Sequence, residues 1–380
     1  MKRISVYISS LVLGMVLLMA CHKNLDKFPP NSLTSADTYS SEAGYTQVLA
    51  KVYGSMALTG NQGPAGNGDV AGIDEGTSDF LRLYWKAQEL STDEAVVAWN
   101  DPGIQDFHNM NWSSSNPMLK GLYYRCMYIV TLTNEFIRES APDKVSGRGL
   151  SADNIKKMRA EARFIRAYAY WVLLDLYGSP AFVVEGDGIG SFLPPQTTRA
   201  QLFSYIESEL KAIDTDLSAP RTNVYGRADK AAAWSLLARI YLNAKVYTGT
   251  DKYTDAITYS KKVIDAGYTL LSNYTWLGLA DNNVSNPEFI FTLNYDGIHT
   301  KNYGGTTFLV NASVGGDMDK NVSGLGAWGG IRATKNLPNL FPDANGTGDK
   351  RAQFATGSQN LEINSIADFK DGLGVIKYRN

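Results

Sequence analysis

AEARFIRAYAYWVLLDLYGSP, residues 160–180, places apolar side chains on two neighbouring faces of one helix. Phe164, Tyr168 and Trp171 recur at i, i+4 and i+7, and Ile165, Ala169, Val172 and Leu176 form the adjacent stripe. Charge falls on the remaining side, chiefly Arg159, Arg163 and Arg166. Gly178 supplies a left-handed stop and Pro180 forbids continuation. A helix that is apolar over so wide an arc needs neighbours on both sides, which is the condition of a helix inside a stacked helical array.

A degenerate repeat supports such an array. The tetratricopeptide pattern W-x2-L-G-x2-Y is met by Trp234, Leu237, Ala238 and Tyr241, with one small residue exchanged for another. Tyr170, Leu173, Leu174 and Tyr177 repeat it with a larger residue at the glycine position, and Leu49, Ala50 and Tyr53 repeat its second half. The second-helix alanine arrives late, at Ala256, so the intervening turn is expanded. Helices are predicted over 41–58, with Ser41 as N-cap, over 118–138 and 151–178, and within 199–266 as three segments, Arg199–Leu217, Asp229–Ala244 and Lys252–Ala266. Residues 60–117 and 268–380 are loop-rich, and the runs Glu288–Tyr295 and Thr307–Val310 read as strands. The fold class is mainly α: tetratricopeptide-type helix pairs against an irregular region with short strands.

The chain has 380 residues, with 36 basic against 38 acidic side chains, which excludes a polyanion or nucleic-acid partner on electrostatic grounds. Aromatics make up 11 %, with 22 Tyr and 7 Trp, enough to furnish exposed platforms for a sugar or peptide. The two cysteines build no disulfide framework. Lys2 and Arg3, the apolar run Ile4–Met19 and the sequence Leu18-Met19-Ala20-Cys21 form a lipoprotein signal over 1–20, so that Cys21 carries the lipid and 21–40 serve as a tether. An ordinary secretory peptide is the simpler alternative. Cys126 reads as a small buried hydrophobe.

The order of these segments carries a resemblance. The lipobox, Leu25-Asp26-x-x-Pro29, a helix closing on Tyr53-Gly54-Ser55-Met56, AEARFIRAYAYWVLLDLYGSP and Ser285-Asn-Pro-Glu-Phe-Ile-Phe-Thr-Leu-Asn-Tyr-Asp-Gly297 together resemble the SusD/RagB family over nearly the whole chain. The run from Gly72 to Trp99 is similar to the branch with starch- and levan-binding members. The resemblance implies a lipid-anchored protein exposed at the outer-membrane surface, without catalytic activity, that holds a glycan and caps a SusC-type TonB-dependent transporter. It also implies that the C-terminal part of the family is lacking, since members run longer than this chain.

A glycan site needs an aromatic face for the sugar's C–H groups beside forked donors and acceptors for its hydroxyls. Arg82-Leu-Tyr-Trp85 followed by Trp99, Asn100 and Asp101 supplies both. Arg82 and Trp99 match the spacing of an arginine and a stacking tryptophan in the starch-binding branch, and Asp69 and Trp85 resemble the levan-binding one. Val97 and Pro102 stand where the starch-binding pattern has a second tryptophan and an asparagine. Tyr295 and His299, with Tyr303, look like a far wall, and Trp328 in Gly324-Leu-Gly-Ala-Trp-Gly-Gly330 has glycine flanks that leave its indole uncovered. The bland alternatives are core burial for Trp85 and Trp99, and an Asx-turn before Pro102 for Asn100 and Asp101.

Other chemistries are poorly served. Asp74-Glu75 offers half of a calcium site, or simply two solvated carboxylates, and no organic cofactor is called for. Gly324–Gly330 satisfies G-x-G-x-x-G without the strand and helix a dinucleotide needs. His22, His108 and His299 have no zinc spacing, and there is no G-x-S-x-G elbow or Walker loop. A glycoside hydrolase requires a carboxylate pair that sequence alone cannot select from the many acids present. The main alternative to glycan binding is a tetratricopeptide adaptor for a protein or peptide.

Overall fold

A computed structural model describes residues 34–64, 67–190, 193–318 and 327–378. Cys21, the signal segment and most of the tether lie outside the described residues. The helices among them are α1 (Ser35–Thr38), α2 (Glu42–Gly54), α3 (Phe80–Glu89), α4 (Ile104–His108), α5 (Pro117–Glu139), α6 (Pro142–Gly147), α7 (Ala152–Tyr177), α8 (Arg199–Ala212), α9 (Lys230–Leu242), α10 (Ala244–Thr248), α11 (Tyr253–Asp265) and α12 (Gly305–Ala312). Two short antiparallel pairs complete the fold: β1 (Ala95–Val97) with β2 (Ile331–Ala333), and β3 (Phe354–Ala355) with β4 (Gly374–Val375). None of these helices is long and apolar enough to cross a membrane.

Local chemistry starts the helices. The Ser41 hydroxyl accepts from Gly44 N, Thr198 and Gln201 form a reciprocal capping box, and Asp229 accepts from Ala231 N and Ala232 N. Asn116 accepts from Met118 N and Leu119 N at the start of α5, where Pro117 has no N–H to leave unpaired. Helix α1 lies within the stretch read as tether. Its Thr34–Asp37 capping box folds it, and Tyr39, 3 % exposed, packs between Tyr45 and Phe136.

Helix α7 is the centre of the array, in contact with α2, α5 and α8. Its two apolar faces are buried as their spacing requires, with Phe164, Ile165, Val172 and Leu173 at 2 % exposure or less. The arginine side is not a solvent face, however. Arg163 forks onto Glu209 at 3.0 and 2.7 Å, and Arg166, 1 % exposed, bridges Glu185 at 2.5 Å and Glu209 at 2.8 Å. Burial alone would raise the carboxyl pKa of Glu209; hydrogen bonds from Arg163 and the charges of Arg166 and Arg163 outweigh it and hold the group ionised. The helix ends at Gly178, whose φ of +76° suits glycine and whose N–H reaches back to Leu173 O and Leu174 O.

Helices α9 and α11 form the tetratricopeptide-like pair, with Tyr241 and Ala256 buried inside it. The expanded turn between them holds α10. Two expected strands are not strands. Glu288–Tyr295 is irregular, bent at Glu288, Ile290 and Phe291, and forms no ladder; Phe291 and Leu293 pack on the helical core instead, Phe291 lying 5.1 Å from Phe164. Thr307–Val310 belongs to α12, because a run of three apolar residues does not separate strand from helix and Asp79 anchors the helix start by accepting from Gly305 N at 2.9 Å.

Candidate glycan site

Strand pairing brings together residues that lie far apart in the chain. The register of β1 on β2 sets Val97 opposite Ile331, and Ala98 N then donates to Gly330 O at 2.9 Å. One step further, Trp99 meets the residues preceding β2. Its Nε1 lies 3.4 Å from Trp328 O, and the two indole centroids are 6.3 Å apart at 49°. The ring lies across Gly330, where a Cβ would sit 2.4 Å from its Cε2. Gly329, at φ +59°, turns the chain so that Trp328 can face Trp99. Gly329 and Gly330 therefore serve an aromatic contact.

Helix α3 supplies the second wall. Asp79 caps it by accepting from Arg82 N at 2.9 Å, and the other carboxylate oxygen accepts from Asn302 Nδ2 at 2.9 Å. Asn302 also donates to Ala57 O and accepts from Gly304 N. This fully buried knot fixes Tyr303 against α3. Arg82 Nη1 donates to Tyr303 O at 2.8 Å and to Gly76 O at 3.1 Å, while Nη2 has no protein partner among the described residues. The guanidinium lies 5.6 Å from the Trp99 ring centroid and 5.0 Å from that of Phe308. Burial lowers the pKa of Arg82, and Asp101, Asp79 and Asp74 oppose that shift as its counter-charges.

The result is a shallow open cleft of about 310 Å³, lined by Arg82, Trp99, Asp101, Tyr303 and Trp328 and floored by Asp74, Gly76 and Thr77. Tyr303, 45 % exposed, has its ring 6.3 Å from Trp328, so three rings follow one another along the wall. Such a surface offers stacking faces, the Nη2 end of a positioned guanidinium and a carboxylate within one concavity. Asp74 also caps the turn at Thr77. Among the described residues no group of three carboxylates, histidines or cysteines could hold a metal ion.

Of the residues read from sequence as the site, Arg82, Trp99, Asp101 and Trp328 meet here, and five do not. Asp69 pairs with Arg125 at 2.7 Å; Arg125 is fully buried and needs the countercharge. Trp85 lies one residue-turn away, packed edge-on against Phe308 at 5.5 Å. Tyr295 rests on Gly305, where a Cβ would come within 2.2 Å of its ring. His299 is exposed and paired with Asp296 at 2.7 Å in a loop of its own. Asn100 is exposed beside the cleft without lining it. Sequence reasoning missed Asp79 and Asn302. Asp79 was visible as an N-cap before the apolar Phe80; Asn302 carried no local signal.

A family model described as starch-binding and associating with the outer membrane, the SusD-like family, matches residues 25–242. The chain is 32 % identical over 386 residues to the starch-binding protein SusD of Bacteroides thetaiotaomicron, covering 88 % of this chain and 67 % of that protein. It belongs to the SusD-like family. A solved SusD superfamily protein from Parabacteroides distasonis has the same fold at 18 % identity, with a TM-score of 0.67 over 91 % of this chain and 70 % of that one. A solved SusD-like protein from Bacteroides fragilis matches with a TM-score of 0.61 at 20 % identity, over 85 % of this chain and 56 % of the other. The chain thus spans between about half and 70 % of the length of these relatives.

Proposed function

We propose that the protein is a non-catalytic outer-membrane lipoprotein, anchored through Cys21, that captures oligosaccharide in the Arg82–Trp99–Trp328 cleft. It then delivers the glycan to a SusC-type TonB-dependent transporter. The single observation that carries the reading is the convergence of Trp99, Trp328 and Tyr303 around Arg82, an aromatic wall with the Arg82 Nη2 donor and the Asp101 carboxylate beside it. Sugar rings would stack through their C–H faces on the indoles, and ring hydroxyls would bond to Arg82 Nη2 and Asp101. Membership of a family described as starch-binding, and 32 % identity to a starch-binding protein, favour a glucan among the glycans to test first.

The test is calorimetric titration of the full chain, held in a detergent without a sugar headgroup, against maltoheptaose, levan-derived oligosaccharides and xylo-oligosaccharides. Saturable binding to one of them is the expected result. Absence of binding to all three contradicts the reading. Co-purification of the chain with a SusC-type transporter tests the delivery step.

A further inference from the structure

A second, larger cleft lies apart from the one just discussed. At about 760 Å³ it is more than twice the size, and it opens at the other end of α3, between Gln88, the loop carrying Trp112 and the first turns of α5. From the geometry we infer that this cleft is a second carbohydrate-binding site, whose ligand is a neutral oligosaccharide stacked on Trp112 and Tyr124. The inference rests on the glycan-binding reading above but concerns residues outside the first cleft.

Trp112 and Tyr124 are 43 % and 42 % exposed, an unusual pair of large apolar surfaces to leave in one concavity. The loop that presents Trp112 turns at Met110, a non-glycine residue held at φ +53°. Phe107 backs the Trp112 ring at 6.2 Å, and the cleft floor is fixed by Tyr177, which donates to Leu119 O, and by Tyr123, which accepts from Ala181 N. The platforms thus stand on a held framework. Around them the rim is polar and almost uncharged: Gln88, Ser91, Ser113 and Ser114, with Lys120 as its one charged group and no carboxylate.

This chemistry selects among ligands. The first free N–H groups of α5, which could otherwise take a phosphate, are already bonded by Asn116. None of the described strands lines the cleft, so an extended peptide finds no edge to pair with. Gln88, Ser91 and Ser113 each bond within the protein, to Asp175, Ala87 O and Ser115, and an aliphatic chain would leave their remaining donors and acceptors unmatched. A sugar ring matches both surfaces, its C–H face to the rings and its hydroxyls to the rim. Arg82 and Gln88 are six residues apart on α3, about 9 Å along the axis and about 120° around it, so the two clefts face different directions. Two separate contacts of modest strength on one polysaccharide would act together through avidity.

The same titration, with maltoheptaose, levan-derived oligosaccharides and xylo-oligosaccharides, is run on the full chain, on Trp99→Ala, on the pair Trp112→Ala and Tyr124→Ala, and on the triple variant. Circular dichroism confirms folding; both rings of the pair are exposed, so their removal leaves the core intact. The expected result is residual binding in Trp99→Ala that weakens by about tenfold when the pair is added. Wild-type affinity and stoichiometry in the pair variant for every probe overturn the second site and leave the first standing. Unchanged binding in Trp99→Ala with loss in the pair variant overturns the first site and supports the second. No binding by any form overturns both.

Discussion

Lys86 shows what a single residue can cost this fold. It is fully buried, four residues along α3 from Arg82, and its nearest polar partner is Met118 Sδ at 3.7 Å. Burial, and then the neighbouring charge of Arg82, push its pKa down to about 7, against weaker support from Asp101 and Asp74. The ordinary value is 10.5, so between about 7 and 10.5 the unfolded chain binds a proton that the folded chain does not. Stability therefore rises with pH across that window and is depressed below it. Lys86→Met should stabilise the protein by about 2 kcal/mol at pH 6 and flatten its stability between pH 7 and 10. Denaturant titrations at pH 6, 8 and 10 check this, and an unchanged pH slope would refute it. Residue-scale reading from sequence had the opposite difficulty. Arg82, Trp99, Asp101 and Trp328 were legible as sugar-contacting types, yet Asp69 looked equally suitable, and nothing near it announces a buried Arg125 far along the chain.

Elements were the most legible part of the molecule. Each of the long helices α2, α5, α7, α8, α9 and α11 is written in periodicity, and α2, α8 and α9 also in a capping residue, Ser41, Thr198 and Asp229, because caps and amphipathic spacing are local. What lay outside reach was long-range. The β1–β2 register joins residues more than two hundred positions apart, and the Asp79–Gly305 contact anchors the start of α12, which takes in the strand candidate Thr307–Val310. The consequence of that register is testable at Gly330. A methyl there would lie 2.4 Å from Trp99, so Gly330→Ala must displace the indole. We expect a loss of about 1–3 kcal/mol in stability from overpacking, and a fall in glycan affinity matching that of Trp99→Ala. Wild-type affinity in Gly330→Ala would show that Trp99 does not need its seat on this backbone.

At the scale of the whole molecule, the helical stack and the ligand surface divide their tasks. From Ala160 to Asp175 helix α7 turns its faces to neighbours, including an arginine row neutralised by Glu185 and Glu209, and contributes no residue to the Trp99 cleft. The loops after α2, at both ends of α3 and before β2 carry the exposed rings. That division explains why 164–177 identify the family while saying nothing of the sugar: packing fixes the stack, whereas linkage is read by loop shape. The central claim is that the loop cleft, through Trp99, holds glycan. The most direct measurement is the dissociation constant of the full chain and of Trp99→Ala for the same maltoheptaose or other bound probe, with folding monitored by circular dichroism. The structure predicts at least about tenfold weaker binding in a folded Trp99→Ala protein; equal affinity in the two would contradict it.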